Sequence, residues 1–321
     1  MIFYVYIDPG VFDVAQTDGP YAVQVLIGTL RGFVQNCCVM EFDDRRIQDA
    51  IGEKVRALPP SHERKALMSL LTVLAKRNRF VYCIAPDYAG AKSDTDTMLE
   101  QAAGLLIDLA LVGAPVEADA VIPATVQVAL LREYQNTFFE SERSKIASEG
   151  RTTAPGELSE ADFLDVHFKK AFRYAARIDI CDKLFGRKYG DNYKYTAERM
   201  IRWLGGSLSD RTRCKLVFHC AKPEGMTDQY MQQTLRQARD AHAAGLPVEV
   251  QFYQLPTGDS AMPHERFVQT DQVALGIDRG MDFLDAGTRS SRDVFVSYKG
   301  LPACAAVLKT YSGGRLPVMV V

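Results

Sequence analysis

Short apolar runs alternate with stretches of helical period along most of this chain, and that alternation limits the fold more than any other feature. Phe3-Tyr-Val-Tyr-Ile7 reads as a strand, ended by the turn Asp8-Pro9-Gly10. Helical period is expected over 22–33, 47–57 and 63–77, the last opened by Ser61 as its cap, and a strand over 37–42. Residues 80–84 give a third strand, 94–111 a long helix behind Asp94, and 120–122 a short strand. Pro123 then opens a helix expected to pass Tyr134 and run toward Arg143. Strands separated by helices pair in parallel, so the expected class is α/β, with a mostly parallel sheet in the front part.

At 321 residues the chain exceeds the usual size of one domain. Residues 145–160 are polar, small and punctuated by Pro155, Gly150 and Gly156, which predicts a linker between domains 1–144 and 161–321. In the second domain, Ser159 with Asp162 is expected to start a helix over 161–176. Strands over 177–181, 214–220 and 248–253, helices over 193–204 and 228–244, and a strand bearing His264 follow, giving a second α/β domain.

Charge divides the halves. Residues 1–150 hold 14 Lys+Arg against 20 Asp+Glu, net −6, and residues 151–321 hold 24 against 20, net +4. A basic half fits an anionic ligand, although a pI near 6.2 is not that of a dedicated DNA binder. Seven cysteines without a C-x2-C pair argue against zinc and for reduced thiols, hence a cytoplasmic protein. No apolar run reaches the roughly 18 residues that span a bilayer, and the N-terminal run meets Asp8 too early to be a signal peptide.

The chemistry concentrates in His264-Glu-Arg266-Phe-Val-Gln-Thr-Asp271, an H-x-R-x4-D spacing. A neutral imidazole can attack phosphorus, a cation two residues on can neutralise the non-bridging oxygens, and a carboxylate can fix the ring's tautomer. On a strand, residues i and i+2 share a face, so His264 and Arg266 can address one phosphate. Asp271 orients the ring in that scheme, or caps the turn before Gln272. Arginine grips phosphate bidentately but repositions less readily than lysine, which favours binding over turnover. Asp182 and Lys183 follow a strand's C-terminal end, where open α/β sheets place ligands, and otherwise form a strand-to-loop ion pair. Arg279 lies in a glycine-flanked turn that could present amides to an anion or simply join a hairpin. His219 reads as structural, with a second possible use as the acid for a leaving oxygen.

Around this signature, Phe163-Leu-Asp-Val-His167, Ala176–Gly186, Pro263–Asp271 and Leu275–Asp285 resemble, in order, segments of the phospholipase-D-like domain known as the MIT C-terminal domain, over residues 160–298. The resemblance implies a phospholipase-D-like fold and a phosphodiesterase, most plausibly a nuclease active in defence, working through phosphohistidine at His264 without metal or other cofactor. One signature per chain further implies a homodimer, in which each copy donates a His264 to a shared cleft. Cys181 stands where the family has an aromatic residue, and the Gly-Ser-x-Asn tail of active phospholipase-D enzymes is absent. These departures keep a second reading open, a non-catalytic phosphate-binding and dimerisation module with a membrane lipid or protein as partner.

The front domain carries a third reading. Asp8 at the end of the first strand, with Asp94 and Asp96, resembles the PIN-like nucleases that hold divalent metals in carboxylate clusters. The same residue types are also expected at turns and helix starts.

Overall fold

Five parallel strands form the front sheet: β1 (Phe3–Ile7), β2 (Cys37–Phe42), β3 (Phe80–Cys83), β4 (Leu109–Val112) and β5 (Gln127–Leu130), in the order β3-β2-β1-β4-β5. The structure, a computed structural model, describes residues 2–13, 19–83, 93–116, 122–222, 228–253, 265–310 and 315–321. They divide into two units, Ile2–Ala147 and Ser148–Val321. The protein is α/β in class, as the alternation predicts.

In the front unit every residue of β2 and β4 is buried, the pattern of parallel strands covered on both faces. The connecting helices are α1 (Gly19–Asn36), α2 (Arg46–Ala57), α3 (His62–Lys76) and α4 (Asp94–Leu105). Two expectations fail here. Helix α4 stops at Leu105 because Leu106 turns left-handed (φ 61°), and the apolar run behind it is β4, paired with β1. The helix expected from Pro123 is strand β5 and a short 3-10 turn, with α5 (Phe138–Glu149) starting only after Thr137, whose hydroxyl accepts from the Glu140 amide at 3.1 Å. Short buried runs of Leu, Ala and Val fit a strand or a helix equally by periodicity. The strand expected over 120–122 lies largely outside the described residues.

The second unit is built on an eight-stranded sheet. Its strands are β6 (Arg151–Thr153), β7 (Arg177–Cys181), β8 (Lys215–Ala221), β9 (Val248–Tyr253), β10 (Phe267–Thr270), β11 (Ala274–Ile277), β14 (Val294–Lys299) and β15 (Met319–Val320), while β12 (Leu284–Asp285) and β13 (Ser290–Ser291) form a separate pair. The order is β15-β9-β8-β7-β10-β11-β14-β6, with β7, β8 and β9 parallel and the remaining pairings antiparallel. The division between the units, at Ala147/Ser148, falls inside residues 145–160, but the segment carries regular structure. Helix α5 runs to Glu149, Gly150 turns the chain at φ +72°, and β6 adds to the sheet edge against β14. A polar composition identified the surface position of this segment and not its backbone, which an edge strand also satisfies.

Helices α6 (Glu160–Phe172), α7 (Lys183–Arg187), α8 (Asp191–Ser207), α9 (Asp228–His242) and α10 (Leu301–Thr310) complete the unit. Side chains alternate across a strand, so Ile178 and Ile180 face one side of the sheet, and Asp179 and Cys181 the other. Phe185 of α7 stacks on Phe218 at 4.7 Å on the first side. On the second side, Cys304 of α10 joins Cys181, Ala221, Tyr253, Phe267 and Ala274 in one cluster.

His167 on α6 is fully buried, 4.5 Å from the Phe163 ring, with Nε2 3.0 Å from Thr153 Oγ1. Burial pushes its pKa down to about 3, so the folded protein keeps the ring neutral. An unfolded histidine titrates near 6.5, so between those values the unfolded chain takes up a proton that the folded one refuses. Stability from this group is therefore complete above about pH 6.5 and is lost as pH falls toward 3. From pH 7 to pH 5 the loss is about 2 kcal/mol. In His167→Phe this component should vanish, seen as a flatter profile of denaturant midpoint against pH; an unchanged profile would mean the ring is not held neutral.

Candidate functional site

The antiparallel pairing of β7 and β10 sets Cys181 opposite Phe267, which brings Asp182 beside Arg266 at the C-terminal end of β7. Asp182 continues the strand in extended conformation and then caps α7, its Oδ1 accepting from the Leu184 amide at 2.9 Å. Its Oδ2 accepts from the Met281 amide at 2.8 Å, which ties the strand end to the turn 278–281. The Arg266 guanidinium lies across this junction. Its Nη1 donates to the Asp278 carbonyl at 2.6 Å, and its Nε stands 3.8 Å from Asp182 Oδ1, with no hydrogen-bond partner among the described residues. Burial raises the Asp182 carboxyl above its ordinary range, a pull that the two amides and Arg266 oppose without cancelling. Gly280 makes the junction possible: at φ +61° its hydrogen faces Asp182 where a Cβ would stand 2.1 Å from Oδ2.

Further charges converge here. Asp282 pairs with Arg292 and lies 3.7 Å from Arg279, whose Nε donates to the Asp293 carbonyl. The Tyr193 hydroxyl, at the start of α8, is pushed up to about 12 by burial first, with Asp182 and Asp282 adding and Arg266 and Arg292 opposing. The cluster is therefore Asp182, Tyr193, Arg266, Asp282 and Arg292. Sequence reasoning found Asp182 and Arg266 but missed the other three, whose only signal was their place in or near the Leu275–Asp285 segment and the α8 start. Lys183 opens α7 as a nearly buried residue next to Asp182.

Other expected members are elsewhere. His264 lies outside the described residues. Asp271 is at the far end of β10 from Arg266, about 16 Å away at the rise of an extended strand. There its Oδ1 accepts from the Ala176 amide at 3.1 Å, just before β7 begins. It cannot orient a ring next to Arg266, because β10 (Phe267–Thr270) runs its whole length between the two residues. His219 is also excluded from a shared site with Arg266. Its Nε2 meets Asp179 Oδ1 at 2.7 Å and its Nδ1 meets the Tyr253 hydroxyl at 2.8 Å, on the sheet face opposite to Asp182. Asp179 also takes both Arg177 Nε and Nη2, at 2.8 and 2.7 Å. Burial alone would raise Asp179, but the hydrogen bonds from His219 and Arg177 hold it below its usual value.

In the front unit, the carboxylates considered for metal are engaged in holding backbone and neighbouring side chains. Asp8 accepts from the amides of Gly10 (2.9 Å) and Gly113 (3.1 Å), clamping the ends of β1 and β4 together. Asp94 takes Arg46 Nη1 at 3.3 Å, and Asp96 accepts from the Ser93 hydroxyl at 2.6 Å in the cap of α4. Among the described residues no three His, Cys, Asp or Glu side chains are placed to hold a metal ion, and no helix is long and apolar enough to cross a membrane. No family model matches the chain, and comparison with curated proteins and with solved structures returns no match.

Proposed function

We propose that the second unit is a phosphodiesterase acting on nucleic acid, with His264 as nucleophile and Arg266 as the cation that meets the phosphate. The observation that carries this reading is the presentation of Arg266 at the C-terminal end of β7, clustered with Arg292 and Tyr193, at the edge where open α/β sheets place ligands. In the reaction, the imidazole lone pair forms an N–P bond as the P–O bond to the leaving strand breaks. The leaving oxygen takes a proton from the same histidine of a second copy, which makes the homodimer part of the proposal. Water then attacks phosphorus, giving its proton back to the second copy's histidine, the N–P bond breaks, and the free imidazole returns. Asp271 and His219 take no part, and Asp182 positions Arg266 and α7.

One observation favours the non-catalytic alternative. Arg266 is pinned between the Asp278 carbonyl and Asp182, a geometry suited to holding a phosphate or a lipid headgroup and less to following it through transfer. Assay of the purified protein on labelled DNA and RNA, with and without EDTA, separates the readings. Cleavage that survives EDTA is expected, since charge neutralisation falls to arginine. Strict dependence on Mg²⁺ or Mn²⁺ would overturn the phosphohistidine scheme and return attention to Asp8, Asp94 and Asp96. Binding of nucleic acid or anionic vesicles with no cleavage under any condition would favour the binding module.

A further inference from the structure

A ladder of aromatic rings leads from the core of the second unit to its surface. Phe218 of β8 stacks on Phe185 at 4.7 Å, Phe185 meets Tyr189 edge-on at 5.4 Å, and Tyr189 meets Tyr230 edge-on at 6.3 Å. The Tyr189 hydroxyl is fixed 2.6 Å from Thr234 Oγ1, so the last buried rung is anchored at both ends. Tyr230, on α9, is 42 % exposed and ends the ladder. Lys194 of α8 donates to its hydroxyl at 3.1 Å and holds an ammonium 5.4 Å from its ring centre, although Glu198 lies 3.8 Å from the same ammonium. Lys194 directly follows Tyr193 of the cluster.

A half-exposed ring packed on a buried tyrosine, with an ammonium over one face near its hydroxyl, has the chemistry of a base-stacking platform on its other face. Its distance from the site is bounded by the chain. Asp182 caps α7, five residues long, and Tyr189 follows two residues later, so the Tyr230 ring lies within about 25 Å of Asp182. A stacked strand with a phosphate every ~3.4 Å covers that span in about seven nucleotides, inside the range of single-strand sites. Duplex bases are already stacked on each other and offer no free face to a side chain. We infer that the substrate of the proposed phosphodiesterase is single-stranded nucleic acid, one of whose bases stacks on Tyr230 with a phosphate near Lys194. This rests on the reading of the preceding section for its reaction, but not for its binding.

The test uses the full chain and fluorescence anisotropy with a labelled oligothymidylate and, separately, a labelled hairpin duplex, alongside a cleavage assay. Tyr230→Leu keeps the apolar contact with Tyr189 and removes the π face; it should weaken single-strand binding by about 5- to 150-fold and leave duplex binding unchanged. Tyr230→Phe should bind like the wild type. No single-strand binding by the wild type, an unchanged affinity of Tyr230→Leu, or an equal loss on the duplex would each overturn the inference. Tyr230-dependent binding without any cleavage would leave it standing and remove the phosphodiesterase; cleavage with Tyr230-independent binding would do the reverse.

Discussion

His264→Ala protein should fold, bind nucleic acid and fail to cut it, with the cleavage rate lower by about a thousandfold or more. No other group in the scheme can form the N–P bond, so the whole advantage of the covalent route is lost, at least about 4 kcal/mol of barrier. Arg266 and its cluster are untouched by the change, so affinity for the oligonucleotide should stay within about twofold of wild type, which marks the loss as chemical. Single-turnover cleavage at saturating enzyme measures the rate, and anisotropy measures the binding. Cleavage at the wild-type rate would sink the scheme and place the reaction in another part of the chain.

Gly280→Ala should be among the most destabilising single-methyl additions in the second unit, by about 2–5 kcal/mol. A left-handed φ of +61° costs an L residue about 1 kcal/mol or more before any contact is considered. The added Cβ would then stand 2.1 Å from Asp182 Oδ2 and 2.6 Å from Arg266 Cδ. To make room, Asp182 must release the Met281 amide, which leaves a buried carboxylate short of a donor at about 1–3 kcal/mol. The control is Gly206→Ala in α8, where nothing lies within 4 Å of the new methyl and stability should change little. Urea unfolding of the two variants reads the difference directly. If Gly280→Ala unfolded at the wild-type midpoint, the turn and the Asp182 clamp would not be joined as described.

Much of the fold was legible because helices here carry local signals. Ser61 accepts from the Arg64 amide at 3.1 Å and Ser159 from the Asp162 amide at 3.2 Å, the caps that the sequence announces at α3 and α6. Strands carried weaker signals. The apolar runs at β4 and β5 read as helix in the sequence, since their strand character comes from neighbours far along the chain, Val5↔Leu109 in one case and Leu109↔Gln127 in the other. The site divided in the same way. Asp182 was legible from its place after a strand and Arg266 from its spacing to His264, whereas Tyr193 and Arg292 reach the cluster through tertiary packing that no spacing encodes. Asp271 misled for a geometric reason, whereas His219 is the buried structural residue that its place in an apolar strand suggests. Sequence separation does not state which end of a strand, or which face of a sheet, a residue will occupy until register is known.

That geometry makes β7 the least editable strand of the second unit. Its odd and even positions serve two unrelated sets of partners: Asp179 the histidine and arginine on one side, Ile178 and Ile180 the apolar packing on the other, with Asp182 following in phase. A substitution at one position touches one set. A single inserted or deleted residue would exchange the two, turning a carboxylate into the apolar layer and an isoleucine toward His219, and swinging Asp182 away from Arg266. Natural variants of this chain should therefore accumulate length changes almost anywhere before they accumulate one between Arg177 and Asp182.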